Sequence, residues 1–234
     1  MIRLTAQIHM HMKNNVMQAY KVFNRDVEIA IRGFFLCKGI YDVANKDKKR
    51  ISSLERNPLS WNVILHSLQC TFFVSLGRLF EGDETISADK FLRTCIDNID
   101  EFSKNSLRNR KVIQYGGKQE WFDMYMNNVY EPRIKDFDNL IDKIARRKAL
   151  YIKTYRPIRH KIITHLNIAT IDNSNLLFGE SNIDEIQDFL LVMYQIDRVI
   201  FHLLFNGKLY PIDNFILEEE SPVSKDIELL LKRI

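Results

Sequence analysis

Between about Ala6 and Ala44 the chain runs without a proline, and Val16, Tyr20, Phe23 and Val27 recur at the three- and four-residue spacing that lines one face of an α-helix. A strand alternates its faces every second residue, so this pattern suits a helix. The same bias extends along the chain. Only 8 Gly and 5 Pro occur in 234 residues, of which 46% are hydrophobic and 27% charged, a balance that favours long helices over strands and turns. The expected fold is all-α, an elongated helical bundle of about five to seven helices. The length suffices for a substantial core and no Pro/Gly/Ser-rich linker divides it, so residues 1–234 are expected to form one domain, with the tail beyond about residue 208 least tied to it.

Punctuation places the helices. The first is expected over Ala6–Ala44 with a bend near Gly33, followed by a polar loop from Lys46 to Asn57. A second follows Pro58 and runs from Ser60 to Phe80; it is apolar on most sides, which predicts a central position. Ser87 reads as the cap of a third helix reaching about Lys104. Gly116-Gly117 breaks the chain, and a fourth helix is expected from Lys118 toward Tyr155, kinked or divided at Pro132. Pro157 suits a first helical turn, so a fifth helix is expected from Pro157 to Leu166 with the preceding one stopping near Arg156. Asn182 caps a last long helix that Gly207 ends, and Ile227–Ile234 is a short amphipathic tail segment. Trp61, Phe72, Phe73, Phe201 and Phe205 read as core, as do Tyr151 and Tyr155.

The stretch Arg156-Pro-Ile-Arg159-His160-Lys161-Ile-Ile-Thr164-His165 carries the chemistry. An arginine neutralises phosphate charge with a planar fork of donors, and histidine moves protons near neutral pH. With 16 Arg among the 34 basic residues and 6 His, an arginine followed by a histidine after four to six residues arises about once by chance. Arg3 with His9 is that coincidence. Arg159 with His165 stands in a different setting, where Ile158, Ile162, Ile163 and Leu166 form an apolar helical stripe that would hold the polar residues in place. Six residues along a helix separate the two by roughly 9 Å and about 120°. Two copies of such a helix crossing near a twofold axis would pool their residues, and symmetric dimers are the commonest closed assemblies. A lone helical histidine is more often a hydrogen-bonded structural residue, and His160 divides evenly between structural and phosphate-binding roles.

Arg159, His160, Thr164 and His165, following a long helix-rich region, resemble the signature of the HEPN superfamily and most closely its abortive-infection, AbiU2-like branch. Ser75-Leu-Gly-Arg78-Leu-Phe-Glu81 is similar to an earlier helix of that branch. Thr164 stands where the branch often has Ala, and Asn167 where an acidic residue often follows. The resemblance implies a metal-independent endoribonuclease, a toxin or antiviral-defence effector. His165 and Arg159 would be catalytic, His160 would support catalysis or bind phosphate, and the site would be a composite in a homodimer. It also implies an RNA substrate and an antitoxin partner, of which a nucleotidyltransferase is one kind. No cofactor and no metal are expected.

The net charge of +4 permits nucleic-acid binding without requiring it. Lys46–Arg50, Arg108-Asn-Arg110-Lys111 and Arg146-Arg147-Lys148 are basic clusters of the kind that is more often a solvated helix end than a phosphate site. Lys161 and the run Arg146, Arg147 and Lys148, closest in sequence to the motif, are the candidate RNA contacts. Cys37, Cys70 and Cys95 form no CxxC pair and read as buried thiols. No HExxH, Glu-x-x-His pair, P-loop or dinucleotide glycine pattern occurs, and His9-Met10-His11 reads as incidental. With no signal-peptide pattern and no stretch of membrane-spanning length, a soluble cytoplasmic protein with no membrane partner is expected. The principal alternative function is a non-catalytic helical module for interaction or nucleotide binding. The Arg78 guanidinium is expected to be a satisfied structural group.

Overall fold

The computed structural model describes residues 16–46, 48–81, 86–164, 181–217 and 222–231. Among them no strand occurs, and the all-α expectation holds. The helices are α1 (Val16–Lys46), α2 (Lys48–Glu55), α3 (Pro58–Phe80), α4 (Ala88–Asp97), α5 (Lys104–Tyr115), α6 (Phe122–Asn127), α7 (Ile134–Leu150), α8 (Arg156–Thr164), α9 (Ile183–Asn206) and α10 (Pro222–Leu231). Contacts group the chain into two compact units. Of the described residues, the first holds 16–24, 86–147 and 191–216, and the second 25–46, 48–81, 148–164, 181–190, 217 and 222–231.

In the first unit, Ser87 caps α4 as expected, its Oγ accepting from the Lys90 amide at 3.4 Å. The helix does not reach Lys104. It stops at Asp97, a 3-10 turn spans Ile99–Phe102, and Ser103 caps α5 by accepting from the Ser106 amide at 3.2 Å. A second cap within the expected helix, at a residue that competes for backbone donors, restarts the chain in a new direction. The expected Lys118–Tyr155 helix is divided at Pro132 into α6 and α7. Aromatic rings fill the interior: Phe23 stacks on Phe91 at 4.6 Å, Tyr20 meets Phe205 at 5.6 Å, and Phe102 meets Phe137 at 5.2 Å. Phe201 and Phe205, expected in the core, are only half-buried, and Arg198 covers the Phe201 face at 5.1 Å. Arg110 donates to the Glu101 and Leu204 carbonyls, both at 2.8 Å, and so ties the 3-10 turn to the end of α9. Gly207 ends α9 at φ +55°, and a Cβ there would fall 2.6 Å from the Val129 side chain.

In the second unit, a Cβ on Gly33 would lie 3.2 Å from the Phe72 Cβ, so the glycine marks where α1 meets α3 inside a continuous helix. Phe34, Phe72 and Phe73 are buried there. The polar loop expected from Lys46 contains α2, because Leu54 packs with Trp61 against Ile40, Val43, Ile227 and Leu231. That contact also docks α10, the amphipathic tail segment. Trp61 is only partly buried. Helix α3 is central along its second half only: Leu59 is 81% exposed and Val63 66%, whereas Phe72 to Phe80 is largely buried. At 23 residues α3 also has the length and apolarity of a membrane span, which corrects the expectation that no stretch approaches one. A helix half inside a protein core meets the same criterion. Of the cysteines, Cys37 is buried in this unit, while Cys70 is half-exposed beside His66 at 3.5 Å; Cys95, in the first unit, is buried.

Candidate functional site

The motif helix does not begin with a break. α7 passes through a π turn, Tyr151–Tyr155, directly into α8, so the expected stop near Arg156 is absent. A proline ring inside a helix presses on the carbonyl four residues back, here Lys153, and removes one donor. The wider turn lies where that carbonyl sits, and the Arg156 amide reaches the Tyr151 carbonyl, so Pro157 is accommodated within one helical run. Both turn tyrosines are fully buried, as expected. Tyr151 stacks on Phe80 of α3 at 4.8 Å, and Tyr155 meets Phe189 of α9 at 5.2 Å. The Tyr155 hydroxyl donates to Glu185 at 2.7 Å and accepts from the Asn182 amide at 3.2 Å. Asn182 in turn caps α9, accepting from the Asp184 amide at 2.9 Å. The start of α9 and the motif helix are thereby joined by one tyrosine.

These anchors set α8 against α3. Arg159 donates through Nη2 to Glu81 Oε2 at 2.9 Å, and Arg156 Nε reaches the same oxygen at 3.3 Å. The Arg159 side chain is 21% exposed and that of Glu81 16%, so the pair is shielded without being sealed. Beneath it lies Gly77, where a Cβ would fall 2.3 Å from Arg159 Nη1 and 2.8 Å from Cδ. Burial first, then the Glu81 charge, pushes the Tyr151 phenol well above its ordinary range, so it stays protonated. Arg159 Nη2 also lies 3.1 Å from Nε2 of exposed His160. A guanidinium has donors only, so in this contact the ring nitrogen is the acceptor.

Arg78 is the structural arginine that was expected. It is half-buried and pairs with the buried Asp26 at 3.0 Å, while Glu81 serves the motif. Both Gly77 and Glu81 belong to the Ser75–Glu81 stretch, where a small residue four positions before an acid was the available signal. Ile158 of the apolar stripe is buried. Lys161 lies in α8, its side chain outside the described residues, and His165 lies outside them altogether. Lys148 is half-buried in the second unit. Arg146 is exposed and Arg147 half-buried in the first, where Arg147 donates to the Lys143 carbonyl at 3.1 Å. Among the described residues no group of three or more His, Cys, Asp or Glu is arranged to hold a metal.

Chemically, the site offers a guanidinium fixed by an acid, lying over a glycine and retaining more N–H donors than Glu81 and His160 take up. Such a group is ready to meet phosphate oxygens. Comparison with protein-family models matches residues 4–213 to the HEPN family described as AbiU2. No curated protein and no solved structure matches the chain.

Proposed function

The chain belongs to the HEPN AbiU2 family, and on that premise we propose that it is a metal-independent endoribonuclease of abortive-infection type. It acts in the cytoplasm as a toxin or antiviral-defence effector restrained by an antitoxin, and its active form is a homodimer. The observation that carries this reading is the placement of Arg159, held by Glu81 over Gly77 and still partly open to solvent.

In this reaction His165 takes the proton from a ribose 2′-hydroxyl, and the oxygen attacks the adjacent phosphorus. The bond from phosphorus to the 5′-oxygen breaks, and the leaving oxygen takes a proton from the partner subunit's His165 or from water. Arg159 stabilises the charge that builds on the phosphorane oxygens, a task for which its planar, pre-positioned donors are suited. His160, beside Arg159, orients the guanidinium or binds phosphate. Lys161 and the run Arg146, Arg147 and Lys148 contribute sequence-independent phosphate contacts. The products are a 2′,3′-cyclic phosphate and a 5′-hydroxyl, and DNA, which lacks the attacking group, survives.

The test is incubation of purified protein with RNA in EDTA, beside Arg159→Ala and His165→Ala variants of verified folding and oligomeric state. Cleavage by the parent alone, with cyclic-phosphate ends, is the expected result. Inactivity of all three on a broad RNA panel, with the dimer intact, overturns it in favour of a non-catalytic interaction module. Cleavage by a strictly monomeric protein would defeat the composite site.

A further inference from the structure

In the first unit, α5 turns into α6 through Gly116 and Gly117, at φ +67° and +146°. The core of this corner is closed by Leu107, Phe122, Met126 and Val129, with Val112 and Tyr125 packed against them. Two further aromatic residues border that core, Trp121 meeting Phe122 at 5.1 Å and Tyr125 at 5.6 Å. Tyr115 is 46% exposed and Trp121 39%, their rings edge to face at 5.3 Å. Exposed aromatic rings in contact form the kind of contiguous apolar patch that marks a binding surface.

Residues 108–123 carry four cations, Arg108, Arg110, Lys111 and Lys118, against two acids, Glu120 and Asp123. Lys111 Nζ lies 5.8 Å from the centre of the Tyr115 ring. Arg108 and Lys118 converge on one carboxylate, that of Asp123, at 3.1 and 2.7 Å, so two positive charges share a single negative one. A Cβ on either glycine of the turn would meet nothing within 4 Å, so the space beside Tyr115 is open to a ligand's backbone. Flat apolar rings bordered by a net positive charge match a polymer with stackable bases and a phosphate backbone.

We propose that Tyr115 and Trp121 form a stacking platform for single-stranded RNA, with Lys111, Arg108 and Lys118 meeting its phosphates. That the strand is RNA rests on the ribonuclease reading; the platform itself rests on this corner alone. Duplex RNA, whose bases are already stacked, does not engage it.

The test uses the full chain with Trp61→Phe, which leaves Trp121 as the one tryptophan, and with His165→Ala to keep the RNA whole. Titration with a single-stranded oligoadenylate should quench Trp121 emission, and a duplex of equal length should not. Tyr115→Ala, its folding checked by circular dichroism, should raise Kd roughly tenfold. Lys111→Gln together with Lys118→Gln should flatten the dependence of log K on log salt by about 0.7 for each phosphate no longer neutralised. Absence of quenching, equal quenching by duplex, or an unchanged Kd in Tyr115→Ala overturns the proposal. Quenching in the Trp61→Phe, His165→Ala variant, when the parent chain with His165 intact never cleaves RNA, would sustain the platform and defeat the ribonuclease reading. Cleavage by the parent chain, when Trp121 of that variant ignores RNA, would do the reverse.

Discussion

Arg159 lies so close over Gly77 that the smallest possible side chain on α3 would occupy the position of its guanidinium, 2.3 Å from Nη1. Glycine in the interior of a helix costs about 1 kcal/mol relative to alanine. Its presence there is therefore explained by the arginine it admits rather than by the helix it weakens.

Gly77→Ala separates these two effects. The gain in helix propensity offsets part of the overlap, so stability measured by urea unfolding should change by no more than about 1–2 kcal/mol. Cleavage of RNA should fall at least tenfold, because Arg159 is pushed from its seat. A variant that cleaves normally would show that this seat is irrelevant to activity.

Glu81→Gln leaves Arg159 and Arg156 facing each other without the carboxylate that both contact at 2.9 and 3.3 Å. Loss of a shielded, charge-assisted bond of this kind costs about 1–3 kcal/mol. The midpoint of chemical unfolding should drop accordingly, and an Arg159→Ala, Glu81→Gln double variant should lose less than the sum of the two singles.

Tyr155→Phe tests the joint between the motif helix and α9. It removes the bond to Glu185 at 2.7 Å and the acceptor for the Asn182 amide. A loss of about 1–3 kcal/mol is expected by urea unfolding. An unchanged midpoint would mean that water replaces the hydroxyl at no cost.

His202 gives the chain a pH dependence of defined sign. Burial, then the Arg198 and Lys208 charges, hold its pKa below the ordinary value of about 6.5. Below that pH the unfolded chain takes up a proton that the folded chain refuses, so this contribution to stability is present above about pH 6.5 and is lost as pH falls toward the lower folded value. The ring accepts from Asn206 through Nδ1 at 3.1 Å and stacks on Phe215, contacts made by the neutral form. In urea midpoints between pH 5 and 8, His202→Gln should show a shallower decline on the acid side than the parent; parallel curves would rule out this assignment.

Thiol chemistry should distinguish the three cysteines. Burial pushes Cys37 up to about 12 and Cys95 higher still, whereas Cys70 is raised by partial burial only and is half-exposed. At pH 8 an aromatic disulfide reagent should modify one thiol per native chain promptly and all three after unfolding. Loss of the prompt reaction in Cys70→Ser would identify it.

The sequence by itself determined the all-α class, the Ser87 and Asn182 caps, the ends at Gly116 and Gly207 and the family, because periodicity, capping and glycine conformation act within a few residues. It also brought out the stretches holding Gly77, Glu81 and Arg159. Other features were settled by contacts between segments distant along the chain. Leu54 made a helix of an expected loop by packing against the cluster of Ile40, Val43, Ile227 and Leu231, and α3 is buried along only half its length despite a uniform apolar pattern. The partner of Arg78 is Asp26, 52 residues earlier, and Glu81 pairs with Arg159, 78 residues later. Local pattern constrains which faces are apolar; which charge meets which depends on how the helices pack, and only the tertiary structure decides that.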